Sequence, residues 1–264
     1  MNTVTSKDGT TIAFDQSGAG PAIILVGGAM ANRADYVPLA ALLAAHFTVF
    51  GHDRRGRGDS GDRAPYAVAR EVEDIEAVIN AAGGSAFVFG HSSGAALALE
   101  AARTLATKIT KLALYEPPFI VDDSRSPLPG DYVAQLDAAI AGGRPGDAVE
   151  IFLIKGVGVP AEFVAQMRND PMWAASESVA HTLAYDGTIM GDTMRGSALP
   201  LKKWAAVTAP TLVLDGGNSD AWMHAGAQTL ADILPNAQRR TLAGQDHGAA
   251  PEVLAPVLVE FFLG

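Results

Sequence analysis

The sequence predicts an α/β fold, a mostly parallel sheet covered by helices on both faces. Three observations lead to it. Short apolar runs alternate with stretches of helical pattern along the chain, the trace that βαβ units leave in a sequence. The length of 264 residues fits one large domain, or one domain carrying an inserted subdomain. With 48% apolar and 18% charged residues, the composition is that of a globular protein with a large core.

Taken in order, residues 10–16 (TTIAFDQ) and 21–26 (PAIILV) read as strands, parted by the turn residues SGAG. A helical pattern over 36–45 leads to the strand 47–52, and a second over 68–82 leads to the apolar run 86–89 (AFVF). An alanine- and leucine-rich helix over 94–105 precedes the strand 111–115. After a long interruption come the strand 211–215, a helix over 221–234, the strand 239–243 and a closing helix over 251–262. The interruption, 117–204, holds turn clusters (DDSRSPLPG, AGGRPGD) and helical segments but no convincing strand. An insertion of roughly 85 residues far exceeds an ordinary connection and points to function. It leaves after one strand and returns before the next, so it should overhang the carboxyl ends of the sheet, where open α/β folds bind ligands.

Several function classes are disfavoured. The formal net charge of -10 argues against a nucleic-acid partner, which needs clustered Lys and Arg. The absence of cysteine removes disulfides, thiolate metal sites and a cysteine nucleophile. The polar start MNTVTSKDGTT has no signal-peptide character, and no run of 18 apolar residues occurs. The expectation is a cytoplasmic protein without a membrane partner. It should act on a small molecule with no metal or organic cofactor, and a homodimer stays open.

The chemistry is concentrated in FVFGHSSGAALALE, residues 87–100, where Gly90, Ser92 and Gly94 form G-x-S-x-G between an apolar run and a helix. A serine on such a sharp strand-to-helix turn is held in a strained conformation, and its neighbours two away must be small. Its hydroxyl stands clear of the sheet, near the positive end of the following helix. His91 cannot serve as its base, since adjacent side chains at a tight turn diverge. His247, in the loop GQDHGAAPE between the last strand and the last helix, is the expected base. His46, His52, His181 and His224 read as structural or exposed. For the carboxylate that orients the imidazole, Asp220 in LDGGNSD is favoured. Asp215 at the strand end and Glu116 in LYEPPF are the competitors.

Together GHSSG (90–94), HDRRGRGDS (52–60), PTLVLDGGNSD (210–220) and GQDHG (244–248) resemble the α/β-hydrolase fold superfamily. The nearest group is that of carboxylesterases, lactonases and cofactor-free haloperoxidases. The resemblance implies an eight-stranded, mostly parallel sheet flanked by helices, with one antiparallel strand near the start. It implies a core domain of 1–116 and 205–264 and a helical cap of 117–204 after the sixth strand. It also implies a triad of Ser92, Asp220 and His247. The chain departs from the family in two places. The usual His-Gly after the third strand is Gly27-Gly28 here, so the oxyanion amides should be those of Ala29 and Ser93. The spacing of GGNSD also fits the family's acid motif only from Gly217, which keeps Glu116 in contention.

Two other motifs carry little. Gly56, Gly58 and Gly61 match G-x-G-x-x-G, but DRAPY follows instead of a helix, so no nucleotide site is expected. The Arg-Gly-Asp at 57–59 reads as a turn, held by pairing of Asp53 with Arg55. In the cap, PMWAASESVAHTLAY places Met172, Ser176, Val179 and Leu183 on one helical face, with Trp173, His181 and Tyr185 close in angle. Either this stripe packs the cap, or Trp173, His181 and Tyr185 join Gly28 in walling the substrate pocket. The expected function is cleavage of an ester or lactone of a small, largely apolar substrate by a serine hydrolase. The alternatives are a haloperoxidase-like perhydrolase, a carbon–carbon bond hydrolase, a cofactor-free oxygenase and, last, a non-catalytic receptor.

Overall fold

A computed structural model describes residues 1–264. Eight strands form one sheet: β1 (Asn2–Thr5), β2 (Thr11–Ser17), β3 (Ala22–Val26), β4 (Thr48–His52), β5 (Ala86–His91), β6 (Ile109–Tyr115), β7 (Thr211–Gly216) and β8 (Ala237–Leu242). Their order is β1-β2-β4-β3-β5-β6-β7-β8. β2 runs against both of its neighbours, and every pair from β4 onward is parallel. The expected sheet, with its single antiparallel strand near the start, is present. β1 was not anticipated. NTVT is a short, mostly exposed edge strand without a buried apolar run, so the signal that marks the other strands is missing.

α1 (Val37–Leu43), α2 (Val68–Ala81) and α3 (Ser93–Thr104) connect the first six strands. Between β6 and β7 lie α4 (Tyr132–Ala141), α5 (Pro145–Ile151), α6 (Ala161–Met167), α7 (Trp173–Val179) and α8 (Leu183–Met190). α9 (Ala221–Ile233) and α10 (Pro251–Leu263) complete the chain. Because β3 is covered on both faces, its residues are apolar without alternation. Ile24 and Val26 join the layer under α2, α3 and α9, while Ile23 and Leu25 join the layer under α1 and α10. The insertion holds no strand, as expected, and Leu136, Val149, Trp173 and Leu183 extend the layer that contains α3. The periodic stretch 172–185 is not one helix, since a single 3-10 turn (Ala180–Thr182) separates α7 from α8. Its supposed apolar face is therefore lost, and Met172 is 71% exposed.

The loop from Asp53 to Ala67 ties the insertion to the sheet. Arg54, Arg55 and Arg57 are each 2% exposed or less. Arg54 forms a bidentate pair with Glu71 at 2.7 and 2.9 Å and reaches Asp186 on α8 at 2.7 Å. Arg57 pairs with the other oxygen of Asp186 and donates to the carbonyl of Gly28 at 2.6 Å. Arg54 also donates to the carbonyl of Gly27 at 3.2 Å. The expected pairing of Asp53 with Arg55 does not form. Asp53 binds Arg33 and the amide of Asp59, whereas Arg55 is drawn under α2 by Asp74 and towards the β1–β2 turn by Asp8. Gly56, Gly58 and Gly61 all lie in this loop, and no helix begins at Gly61.

Buried charge makes this network costly to break. Burial opposes ionisation of Asp186 and Glu71, yet Arg54, with Arg57 beside it, holds both below the ordinary carboxylate range. Their stabilisation is therefore present above the unfolded-state value near about 4. It is lost as pH falls through the depressed folded values. Asp186→Asn should lower stability by about 3–5 kcal/mol, measured by urea unfolding at neutral pH, and should flatten the acid limb of the stability curve. A loss of only a few tenths would mean that water replaces the carboxylate. Trp173, 7% exposed within the cap, predicts a loss of about 3–5 kcal/mol on truncation to alanine, read as a fall in Tm.

Candidate active site

β5 ends at His91, α3 begins at Ser93, and Ser92 between them has φ 57° and ψ -128°. Its amide is fixed by the carbonyl of Tyr115 on β6 at 2.9 Å. The small neighbours are required sterically. A Cβ on Gly94 would lie 2.4 Å from the carbonyl oxygens of Val26 and Gly27, and one on Gly90 would lie 2.7 Å from Ala95 Cα. The elbow thus packs against the loop after β3.

Ser92 Oγ lies 3.1 Å from Nε2 of His247, and Nδ1 of His247 lies 2.8 Å from Oε2 of Glu116. A carboxylate accepts, so Nδ1 carries the proton and Nε2 is free to accept from the serine hydroxyl. Glu116 follows β6 directly and is 1% exposed. Its other oxygen accepts the amide of Gly216 at 2.7 Å. Burial pushes its pKa up, but the bonds from His247 and the Gly216 amide prevail and hold it below the usual carboxylate range. The group is an anion at neutral pH.

The favoured acid, Asp220, makes no contact with His247. It stands ahead of α9 and accepts from Trp222 Nε1 at 3.3 Å. Asp215 is consumed by a structural cluster, receiving Arg239 at 2.8 and 2.9 Å together with His224 and Thr241. Strand register explains the outcome. Tyr115 pairs with His91 across β6 and β5, so the residues that follow, Glu116 and Ser92, leave adjacent strands at the same level. The loop after β7 instead bonds to the His247 loop through main chain, Asn218 N–H donating to the carbonyl of Gln245 at 2.8 Å.

The amides of Ala29 and Ser93 are not engaged by any protein acceptor. For Ser93 this follows from its place in the first turn of α3, whose N–H groups lack intrahelical partners. The Gly28 amide, by contrast, donates to Tyr36 Oη at 3.2 Å. Tyr36 Oη lies 3.0 Å from His91 Nδ1, and His91 Nε2 lies 2.9 Å from the carbonyl of His247. A carbonyl only accepts, so Nε2 donates and Nδ1 accepts from the tyrosine. Desolvation, aided by the nearby His247 ring, pushes the His91 pKa down to about 4, so the ring is neutral near pH 7. His91, rejected as the base, braces the site together with Tyr36 and Asp186, which carry no motif in the sequence. Ser93 Oγ is also occupied, donating to Asp186 at 2.7 Å.

The backbone is strained only around this site. Among non-glycine residues, positive φ occurs at Met30 (61°), Ser92 (57°) and Glu116 (46°). These lie in the loop after β3, at the elbow and at the partner of His247. Left-handed backbone at such residues costs on the order of 1–3 kcal/mol each and persists where surrounding packing enforces it.

A cavity of about 860 Å³ opens between the sheet and the insertion. Ser92, His247 and Gly28 line it, together with the apolar side chains of Leu128, Phe152 and Met190. Trp173, His181 and Tyr185 are not among its lining residues. Trp173 is turned into the cap, donating to Glu177 at 3.1 Å. Tyr185 stacks on Tyr66 with centroids 4.0 Å apart and donates to Asp62 at 2.8 Å, and His181 lies 3.6 Å from the same carboxylate. These side chains cover the arginine loop.

Known proteins share this architecture. The model of the alpha/beta hydrolase family matches residues 23–257. The crystal structure of an alpha/beta hydrolase from Sphaerobacter thermophilus is 57% identical, covers 99% of this chain and 100% of its own, and superposes with a TM-score of 0.91. The enol-lactonase from Burkholderia xenovorans shares the fold at 20% identity and a TM-score of 0.73, with 100% of both chains covered. An uncharacterized protein of Mycobacterium tuberculosis is 29% identical over 198 residues, 71% of this chain and 48% of that protein. The chain thus spans about half the length of the curated relatives it matches. Family match, sheet order and elbow agree: the chain belongs to the alpha/beta hydrolase family.

Proposed function

We propose that the protein is a serine hydrolase that cleaves an ester or lactone of a small, largely apolar substrate through an acyl-enzyme intermediate. The observation that carries this reading is the line from Ser92 Oγ through the His247 ring to Glu116, at 3.1 and 2.8 Å. Two unengaged amides stand beside it.

Ser92 Oγ attacks the acyl carbon as its proton passes to His247 Nε2. The carbonyl oxygen becomes an oxyanion and accepts from the amides of Ala29 and Ser93, which have no protein acceptor. Glu116 keeps the imidazole in the productive tautomer and offsets its positive charge. The imidazolium then protonates the departing oxygen, leaving an ester on Ser92. Water, losing a proton to Nε2, attacks that ester, and collapse returns the proton to Ser92 and frees the acid. The apolar walls suit a neutral acyl body and keep competing water away.

Ser92→Ala should reduce turnover of p-nitrophenyl butyrate by about 10³-fold or more, with Tm unchanged because the exposed hydroxyl contributes little to packing. Retained activity in Ser92→Ala together with its loss in Ser93→Ala would displace the nucleophile. Glu116→Gln should lower kcat by about 10²- to 10⁴-fold through a wrongly held imidazole. Asp220→Asn should lower kcat far less under the same conditions. A larger loss in Asp220→Asn would contradict the role given to Glu116.

A further inference from the structure

Arg125 sits in the connection between β6 and α4, and it is the only arginine or lysine among the residues lining the cavity that contains Ser92. Its guanidinium lies over the ring of Trp222, 4.4 Å from the centroid. Nη2 donates to the carbonyls of Lys155 and Gly156 at 3.1 and 2.7 Å. Both Nη2 hydrogens are thereby used, and the Nε and Nη1 hydrogens have no protein acceptor.

Its charge is also uncompensated at contact distance. Of the other arginines, all but Arg63 have a carboxylate within 4.0 Å. Arg63 is exposed at the surface. Arg125 has no such partner although the chain carries a net charge of -10. The acidic residues around the same cavity are otherwise occupied. Glu116 holds His247, Asp186 holds Arg54 and Arg57, Asp220 accepts from Trp222, and Asp35 and Asp246 accept the amides of Asn32 and Gly248. Burial lowers the Arg125 pKa, with Asp220 opposing, as expected for a cation that has lost water without gaining a contact anion. Stacking and two carbonyl bonds fix its position, so little side-chain freedom remains to be lost on binding.

We propose that Arg125 anchors a carboxylate on the substrate, so that the preferred substrate is an ester or lactone whose apolar body ends in an anionic group. This rests on Ser92 hydrolysis as proposed above. The apolar walls accept the body, the oxyanion amides take the scissile carbonyl, and the Nε and Nη1 hydrogens receive the carboxylate. Two fixed polar points in one apolar cavity select chain length as well as charge. An asymmetric site of this kind rejects a substrate that lacks the anion, because the guanidinium is then left desolvated and unpaired.

The test compares mono-p-nitrophenyl esters of dicarboxylic acids of increasing length with the same compounds capped as methyl esters. The two members of a pair differ in one charge. At the best length the wild-type protein should favour the anionic member in kcat/KM by about 10- to 100-fold, chiefly through KM. Arg125→Gln should erase that preference, and Arg125→Lys should restore part of it. The ratio within one preparation is independent of the fraction folded, so a destabilised variant still reports. Preference for the methyl-capped member at every length, or an equal fall of both members in Arg125→Gln, would overturn the anchor while leaving hydrolysis standing. Failure of the wild-type protein to cleave either member would remove the hydrolase reading, and the anchor with it.

Discussion

Two arginines buried beside one aspartate hold this site together. Arg54 and Arg57 share the carboxylate of Asp186, and both also donate to carbonyls of the loop after β3. Desolvated charges of this kind cost several kcal/mol each unless every donor and acceptor is met. The loop, the arginines and helix α8 must therefore be in place together or not at all. Asp186 also accepts from Ser93, so the same carboxylate touches the start of α3. Three parts remote in sequence are clamped around the position where an oxyanion would form. This gives a physical reason for the insertion to share an apolar layer with α3, since a cap that swung freely would uncover the ion cluster.

The remaining constraint is backbone strain set against strand register. Left-handed φ occurs at Met30, Ser92 and Glu116, and adjacent strands put Ser92 and Glu116 side by side. His247 comes from the far edge and is steadied by His91, whose ring bonds the His247 carbonyl on one side and Tyr36 on the other. The chain of contacts continues to the Gly28 amide. The His247 loop and the loop after β3 thus share one brace.

Much of this was legible in the sequence, and the failures have specific causes. Apolar runs such as AIILV and TLVLDG mark strands buried on both faces, whereas NTVT lies on an exposed edge and offers no such run. Gly90, Ser92 and Gly94 could be read as an elbow because the spacing itself encodes the steric demand. The loop position of His247 was equally visible. Which carboxylate meets His247 was not, because Asp220 and Glu116 both follow strands at the carboxyl edge and only strand register separates them. Trp173, His181 and Tyr185 were misplaced because a helical pattern does not say which neighbours a face meets: Trp173 bonds Glu177 inside the cap, and His181 and Tyr185 meet Asp62 of the arginine loop. Arg125 gave no signal, lying in a turn-rich stretch whose partners, Lys155, Gly156 and Trp222, are far away in sequence.

The central claim is that Ser92 is the nucleophile, facing the amides of Ala29 and Ser93. A crystal structure of the protein inactivated with a serine-directed alkyl phosphonate tests it most directly. The account predicts a covalent bond from Ser92 Oγ to phosphorus, with one phosphonyl oxygen at about 2.7–3.1 Å from both amide nitrogens. It also predicts the alkyl group between Leu128, Phe152 and Met190. Attachment to Ser93 or to any other residue would contradict it, as would an adduct whose oxygen turns away from the two amides.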